Sequence, residues 1–285
     1  MMNEKVVLIG AGSAMFTRGL VADVLRQGWD GEIALVDVDP VALDVAAGMT
    51  RKMLDAAGSG LKLSASLDRR EVWGDETVVI STFGVGGRDA WVKDVTIPRT
   101  SGIYQPVVDS VMPGGTSRAL RMIPAMVEMA NDVLALAPDA LFFNYANPMS
   151  AICRGVRKAT GANMVGLCHG VIDMARGMAG RLGARLDQLT YTAVGINHFT
   201  WFTDVRLDGE DALPRLRALA AQKLGAGVDM ENLGRYFAEA GDTEAQQELS
   251  LGWPLLWELT RLFGAFPAPG DRHLVEFFPR MFSGE

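Results

Sequence analysis

Cysteine and histidine are scarce in this sequence. There are two cysteines, Cys153 and Cys168, and three histidines, His169, His198 and His273, in 285 residues. Two cysteines allow a single bridge, which excludes the disulfide framework of a small secreted domain. The spacing from Cys168 to His198 matches no zinc finger or ribbon. Positive charge is in deficit, 27 Lys and Arg against 34 Asp and Glu. That excludes the basic excess needed for non-specific binding to nucleic acid or an anionic membrane. No apolar run reaches the ~18 residues of a bilayer span. The start, MMNEKVVLIGAGSAMF, is no signal peptide, because only VVLI is apolar and Glu4 precedes it. The expected location is cytoplasmic. What remains is ordinary: 49% hydrophobic and 21% charged residues make a soluble globular chain. At roughly 150 residues per domain its length predicts two domains.

Lys5 to Ile9 (KVVLI) is a short β-branched run ending at Gly10, as in a strand buried on both faces. Leu20, Val21, Val24 and Leu25 give Phe16 to Gln27 a helical period, and Glu32 to Asp37 (EIALVD) is a second strand. Strand, glycine turn, helix and strand make one βαβ unit. The alternation continues with a helix over Pro40 to Ala57 and strands over Leu61 to Ser66 and Thr77 to Phe83. A long helix over Arg118 to Leu136 and a strand over Ala140 to Tyr145 follow. A helix over Ser150 to Thr160, a strand over Asn163 to Leu167 and a helix over Val171 to Leu182 complete it. The pattern predicts an α/β fold, a doubly wound Rossmann-type parallel sheet, over residues 1–188. From Leu189 to Leu207 the chain alternates like paired strands, with a turn at Asp208-Gly209. Helices are expected over Ala212 to Leu224, Met230 to Ala240 and Thr243 to Leu262. Residues 189–285 are thus expected to form a second domain, mixed α+β and mainly helical.

The glycine turn carries the first chemistry. Gly10, Gly12 and Ser13 lie between the first strand and the helix that opens near Met15 and Phe16. Glycines there let the backbone approach a pyrophosphate, which the helix N-terminus attracts. Asp37, 25 residues after Gly12, suits the carboxylate that bonds an adenosine ribose and repels a 2′-phosphate, favouring NAD over NADP. Met15 replaces the third glycine of the fingerprint.

Three later segments put polar residues where strands end: Asn144 and Asn147 in FNYANPM, Cys168-His169-Gly170 after MVGL, and Asn197-His198 in AVGINHF. In an open sheet, ligands bind outside the carboxyl ends of strands. A thiolate and an imidazole can hold a divalent cation while leaving positions for substrate oxygens. Each is equally at home as a core cysteine or a structural Asn-His pair, so the residues alone leave the metal open.

VVLIGAGSAMF, PGGTSRALRMIP, FNYANPM, CHG, GINHFTWF and GDRHLVEFFP together resemble glycoside hydrolase family 4, over nearly the whole chain. The resemblance implies an NAD- and divalent-metal-dependent glycosidase, commonly with manganese, an exception to the two-carboxylate scheme. The resemblance implies instead that the sugar is oxidised at C3, a base removes the C2 proton made acidic by the ketone, and the aglycone leaves from C1. Water then adds and the cofactor returns the hydride. The resemblance places the metal ligands at Cys168 and His198 and substrate contacts at Asn147 and Asn197. Arg88, Arg121 and Arg272 are further candidates for substrate, Arg272 for a sugar carboxylate. His169 is implied as the acid that helps the aglycone leave, in the form typical of α-glycosidases, and CHG resembles branches acting on uronic acids. For the base it implies Asp271, with Tyr236 as runner-up. A glycoside substrate and a homo-oligomer, dimer or tetramer, are expected. Family members run longer than this chain, so the second domain is expected to be incomplete. A simple NAD-dependent sugar or hydroxy-acid dehydrogenase would leave Cys168 and His198 without a role. A truncated NAD-binding protein without turnover is the other alternative.

Overall fold

The computed structural model describes residues 3–75, 77–223 and 253–278. The helix expected over Met230 to Ala240, and Tyr236 in it, lie outside these residues. The chain divides into two compact units, residues 1–85 with 119–167, and residues 86–118 with 168–285.

The first unit holds a parallel six-stranded sheet in the order β3-β2-β1-β4-β5-β6. Its strands are β1 (Asn3–Ile9), β2 (Asp30–Val36), β3 (Lys62–Ser66), β4 (Val78–Ser81), β5 (Leu141–Asn144) and β6 (Met164–Gly166). This is the doubly wound order. Alternate residues of β1 explain why it reads as a continuous apolar run. Val7 and Ile9 pack with Val79, Phe142 and the methionines Met122, Met126 and Met129 of α4 (Met112–Leu136). Val6 and Leu8 face the other way, against Val21 of α1 (Ala14–Gln27) and Leu43, Ala46 and Leu54 of α2 (Pro40–Ala57). Burying each such side chain stabilises the fold by roughly 1.5–3 kcal/mol. The predicted bounds of α2 match the structure because its ends are chemically marked. Asp39 accepts from the Val41 and Ala42 N–H groups, Pro40 starts the helix, and Gly58 ends it at φ 59°. The helix α5 (Met149–Thr160) joins β5 to β6.

The second unit contains α3 (Gly87–Arg99) and α6 (Gly170–Arg181), the strands β7 (Leu189–Ile196), β8 (Phe199–Leu207) and β9 (Glu210–Asp211), and α7 (Leu213–Lys223). A helix α8 (Pro254–Phe263), a strand β10 (Phe266–Ala268) and a one-turn helix α9 (Asp271–Leu274) follow. Its antiparallel sheet has the order β10-β8-β7, with β9 on β8. The core joins Phe202, Val205, Leu216, Leu255, Trp257, Phe266 and Leu274 with Met174 and Met178 of α6.

The compact units interleave along the chain, because α6 buries its apolar face among second-unit side chains and residues 86–118 join them too. The helix α3 is polar overall and holds Pro98 near its end, so the sequence pattern does not mark it as a helix. The helix α4 starts at Met112 rather than Arg118, running through Pro113-Gly114-Gly115, residues that read as loop.

Candidate functional site

The glycine turn lies in the first unit. Gly10 has φ 89°, and a Cβ there would meet the Phe83 backbone nitrogen at 2.5 Å. A Cβ on Gly12 would meet Ala42 Cβ at 2.7 Å and Asp37 Oδ2 at 2.8 Å. Both positions therefore require glycine. The Gly12 N–H donates to Asp37 Oδ2 (2.8 Å) and the Asp39 N–H to Asp37 Oδ1 (3.0 Å). A carboxylate has about four lone-pair sites, so Asp37, half-buried, keeps acceptor capacity for ribose hydroxyls. Ser13 is the N-cap of α1 but makes no side-chain cap bond, and the first turn holds no acidic residue. The N-terminal N–H groups of α1 are thus left for an anion. Met15 is 77% exposed, and the Phe16 ring packs 5.4 Å from that of Tyr145. These residues fit a dinucleotide with an unphosphorylated ribose.

Asn147 lies in the same unit, where its Oδ1 accepts the Met149 N–H at the start of α5. Asn144 is fully buried and bonds both backbone groups of Ala146, so it shapes the turn. Arg121 is half-buried in α4.

The second unit brings together residues far apart in the sequence. The β7–β8 hairpin pairs Ile196 with Phe199, leaving Asn197-His198 as a two-residue turn. His198 sits at φ 65°, a left-handed position that favours glycine. Its Nε2 lies 3.7 Å from Cys168 Sγ. Its Nδ1 lies 2.7 Å from Ser110 Oγ and 3.1 Å from Asp109 Oδ1. The His273 ring is 4.0 Å from the His198 ring, and its Nδ1 is 3.8 Å from Asp109 Oδ1. Burial opposes the charged His198 imidazolium, but the hydrogen bonds to Asp109 and Cys168 outweigh it and hold its pKa up at about 10. Burial likewise opposes the Asp109 carboxylate, yet His198 and His273 hold it well below the usual carboxylate range. Glu276, nearby in sequence, has its carboxyl pushed up to about 8 by burial.

This donor set fits a divalent cation in one of two ways. Sulfur and imidazole ligands bind at about 2.3 and about 2.1 Å, so two of them on one ion lie about as far apart as Cys168 Sγ and His198 Nε2. Asp109 then orients His198 through Nδ1, the carboxylate–histidine–metal arrangement. Alternatively, Asp109, His198 and His273 offer ligand atoms within 4.8 Å of one another. The His273 Nδ1 is buried without a hydrogen-bond partner among the described residues.

The other expected residues are spread differently. The His169 side chain is 78% exposed and pairs with Asp173 at 2.7 Å. Asn197 is half-buried in the hairpin turn and Arg88 is exposed in the first turn of α3. Arg272 donates to the Pro106 carbonyl. Asp271, the expected base, is placed in the one-turn helix α9. It is fully buried, and its two oxygens accept the Leu255 and Leu256 N–H groups, so it caps α8. Asp109 and Ser110 were not read from the sequence, because VVDSV carries no motif and acts only through a contact some ninety residues away. Cys153 and Cys168 are both free thiols.

Comparison with known proteins agrees with these features. The model described as family 4 glycosyl hydrolase matches residues 5–184, and that of the family 4 glycosyl hydrolase C-terminal domain matches residues 193–283. An α-glucosidase of Erwinia rhapontici is 34% identical over 97% of this chain and 65% of its own length. The crystal structure of the putative glucosidase lplD from Bacillus subtilis superposes with a TM-score of 0.84 at 30% identity, over 98% of this chain and 64% of that one. A 6-phospho-α-glucosidase from gut microorganisms, solved with NAD and Mn2+, has the same fold (TM-score 0.79, 21% identity, 97% of this chain and 61% of that one). The chain thus spans less than two thirds of the length of each of these proteins. The matches at both ends of the sequence place the chain in family 4 of the glycosyl hydrolases.

Proposed function

We propose that this protein hydrolyses an O-glycosidic bond, α-linked, by transient oxidation of the sugar with NAD and a divalent cation, Mn2+ first among candidates. The observation that carries this reading is the 3.7 Å approach of Cys168 Sγ to His198 Nε2. An ordinary dehydrogenase has no use for that pair. When bound, NAD supplies reversible hydride acceptance, and the cation supplies Lewis-acid stabilisation of charge on sugar oxygens.

The chain's residues divide the remaining work. Gly10, Gly12 and the uncapped start of α1 hold the pyrophosphate, and Asp37 takes the ribose hydroxyls. Cys168 and His198 hold the cation, with Asp109 and Ser110 fixing the His198 ring. Asn147 and Asn197 hold sugar hydroxyls, and exposed His169 protonates the departing aglycone. Proton removal at C2 falls to Tyr236, since Asp271 is committed to its helix cap. A uronic acid is the narrower substrate reading, drawn from the Cys168-His169-Gly170 triplet.

The test is a panel of aryl α- and β-glycosides, glucosides, galactosides, glucuronides and galacturonides, with NAD, Mn2+ and a thiol reductant. Cleavage of an α-glycoside without net NADH is expected. NADH accumulating in step with product would instead mark a dehydrogenase. In a cleaved substrate deuterated at C2, the label is expected to wash out into ordinary water, and its full retention would rule out the C2 proton step.

A further inference from the structure

Glu276 is buried and belongs to neither candidate site by sequence. It follows α9, on the turn Val275–Phe277, three residues after His273. Its Oε1 accepts two backbone N–H groups at once, from Val107 (2.8 Å) and Val108 (2.7 Å). Val108 has φ 58°, a left-handed backbone that a β-branched side chain avoids. Such a conformation costs energy and persists only where its surroundings over-determine it. The next two residues are Asp109 and Ser110, the groups on His198 Nδ1.

The loop around Val108 is held from several sides. Arg272, one turn before Glu276, donates to the Pro106 carbonyl. Fully buried Gln105 donates to the Val111 carbonyl and accepts the Gly114 N–H, both at 2.9 Å. A Cβ on Gly114 would strike Val108 Cβ at 2.7 Å, and one on Gly115 would strike the Ser110 carbonyl carbon at 2.6 Å. The left-handed turn at Val108 aims Asp109 at His198, and among these braces only Glu276 bonds the Val108 backbone itself.

We infer that Glu276 is a positioning residue for the cation site: by holding the strained Val107–Val108 backbone, it sets Asp109 and Ser110 against His198 Nδ1 and so turns His198 Nε2 toward Cys168. The inference rests on the proposed cation site for its consequence. Its geometric part concerns the metal-free protein alone.

The experiment compares the wild type with Glu276→Ala and Glu276→Gln. Glutamine keeps a side-chain oxygen that can accept both N–H groups. Two readouts are used, 15N NMR of the histidine rings in metal-free protein and titration with Mn2+. Glu276→Ala is expected to change the His198 ring signals and to weaken Mn2+ binding about 10-fold or more, the range for residues behind a metal ligand. Glu276→Gln is expected to restore both. If the alanine variant does not fold, Glu276→Asp, one methylene short of the two N–H groups, takes its place. A folded alanine or aspartate variant with wild-type ring signals would overturn the inference, as would a glutamine variant no better than alanine. If the wild type takes up no Mn2+, the cation reading falls, and the ring signals still decide the role of Glu276.

Discussion

Two residues at the candidate cation cluster, His198 and Val108, occupy left-handed backbone angles, φ 65° and 58°. For an L residue this region costs about 1–2 kcal/mol. At His198 the cost separates from the chemistry by substitution. Both His198→Ala and His198→Gly remove the imidazole and leave Asp109 buried without it, so neither is expected to bind Mn2+. Only glycine accepts the turn without strain, so His198→Gly should be the more stable by about 1 kcal/mol in urea unfolding. Equal stability of the two would mean that the turn relaxes around alanine. Asp271 is the opposite case, a buried carboxylate whose two oxygens cap a helix. Asp271→Asn offers one acceptor where two N–H groups wait, and should lower stability by about 1–2 kcal/mol. The rate per folded molecule should hold, and its collapse would return Asp271 to the chemistry.

At the level of elements, the first βαβ unit was legible in its parts. The run KVVLI, the Gly10 turn and Asp37 are local signals, and their consequence is local as well. Gly12 N–H bonds Asp37 Oδ2, and no Cβ fits between them. Gly12→Ala should therefore push Asp37 aside and weaken NAD binding about tenfold or more, the worth of a charged hydrogen bond. Calorimetric titration with NAD reads this directly, and Mn2+ binding should be unchanged. The second cluster was legible only in half. Cys168 and His198 are candidates because cysteine and histidine are rare here and the family resemblance picks out these two. Asp109 does not stand out, since aspartate is common and its partner comes from a hairpin 89 residues on. The cap made by Asp271 is hidden for the same reason. A lone acidic residue after Pro-Gly looks the same whether it faces substrate or caps a helix 15 residues earlier.

For the whole molecule, the two candidate sites fall in different compact units, the glycine turn in the first and the Cys168–His198 cluster in the second. Ligand stabilisation should therefore be separable. At a hundredfold excess over its dissociation constant a ligand adds about 2.7 kcal/mol. Cys168→Ser should abolish the rise in melting temperature with Mn2+ while leaving that with NAD. Loss of both would show that the cysteine supports the fold of the cofactor unit as well. Among the described residues no helix is long and apolar enough to cross a membrane, in keeping with the short apolar runs of the sequence.

The sequence by itself determined the parallel sheet, the glycine turn with its carboxylate, and the presence of one thiol and one imidazole just past the ends of strands, which the family resemblance joins as a pair. These rest on periodicity, on backbone angles that only glycine accepts cheaply, and on rare residue types, all of which are written along the chain. Only the tertiary structure decided what surrounds that pair. Asp109, Ser110 and Glu276 gain their roles from hydrogen bonds across 88 to 169 residues. No local pattern encodes such a contact, because it exists only once separate segments have packed against a shared core.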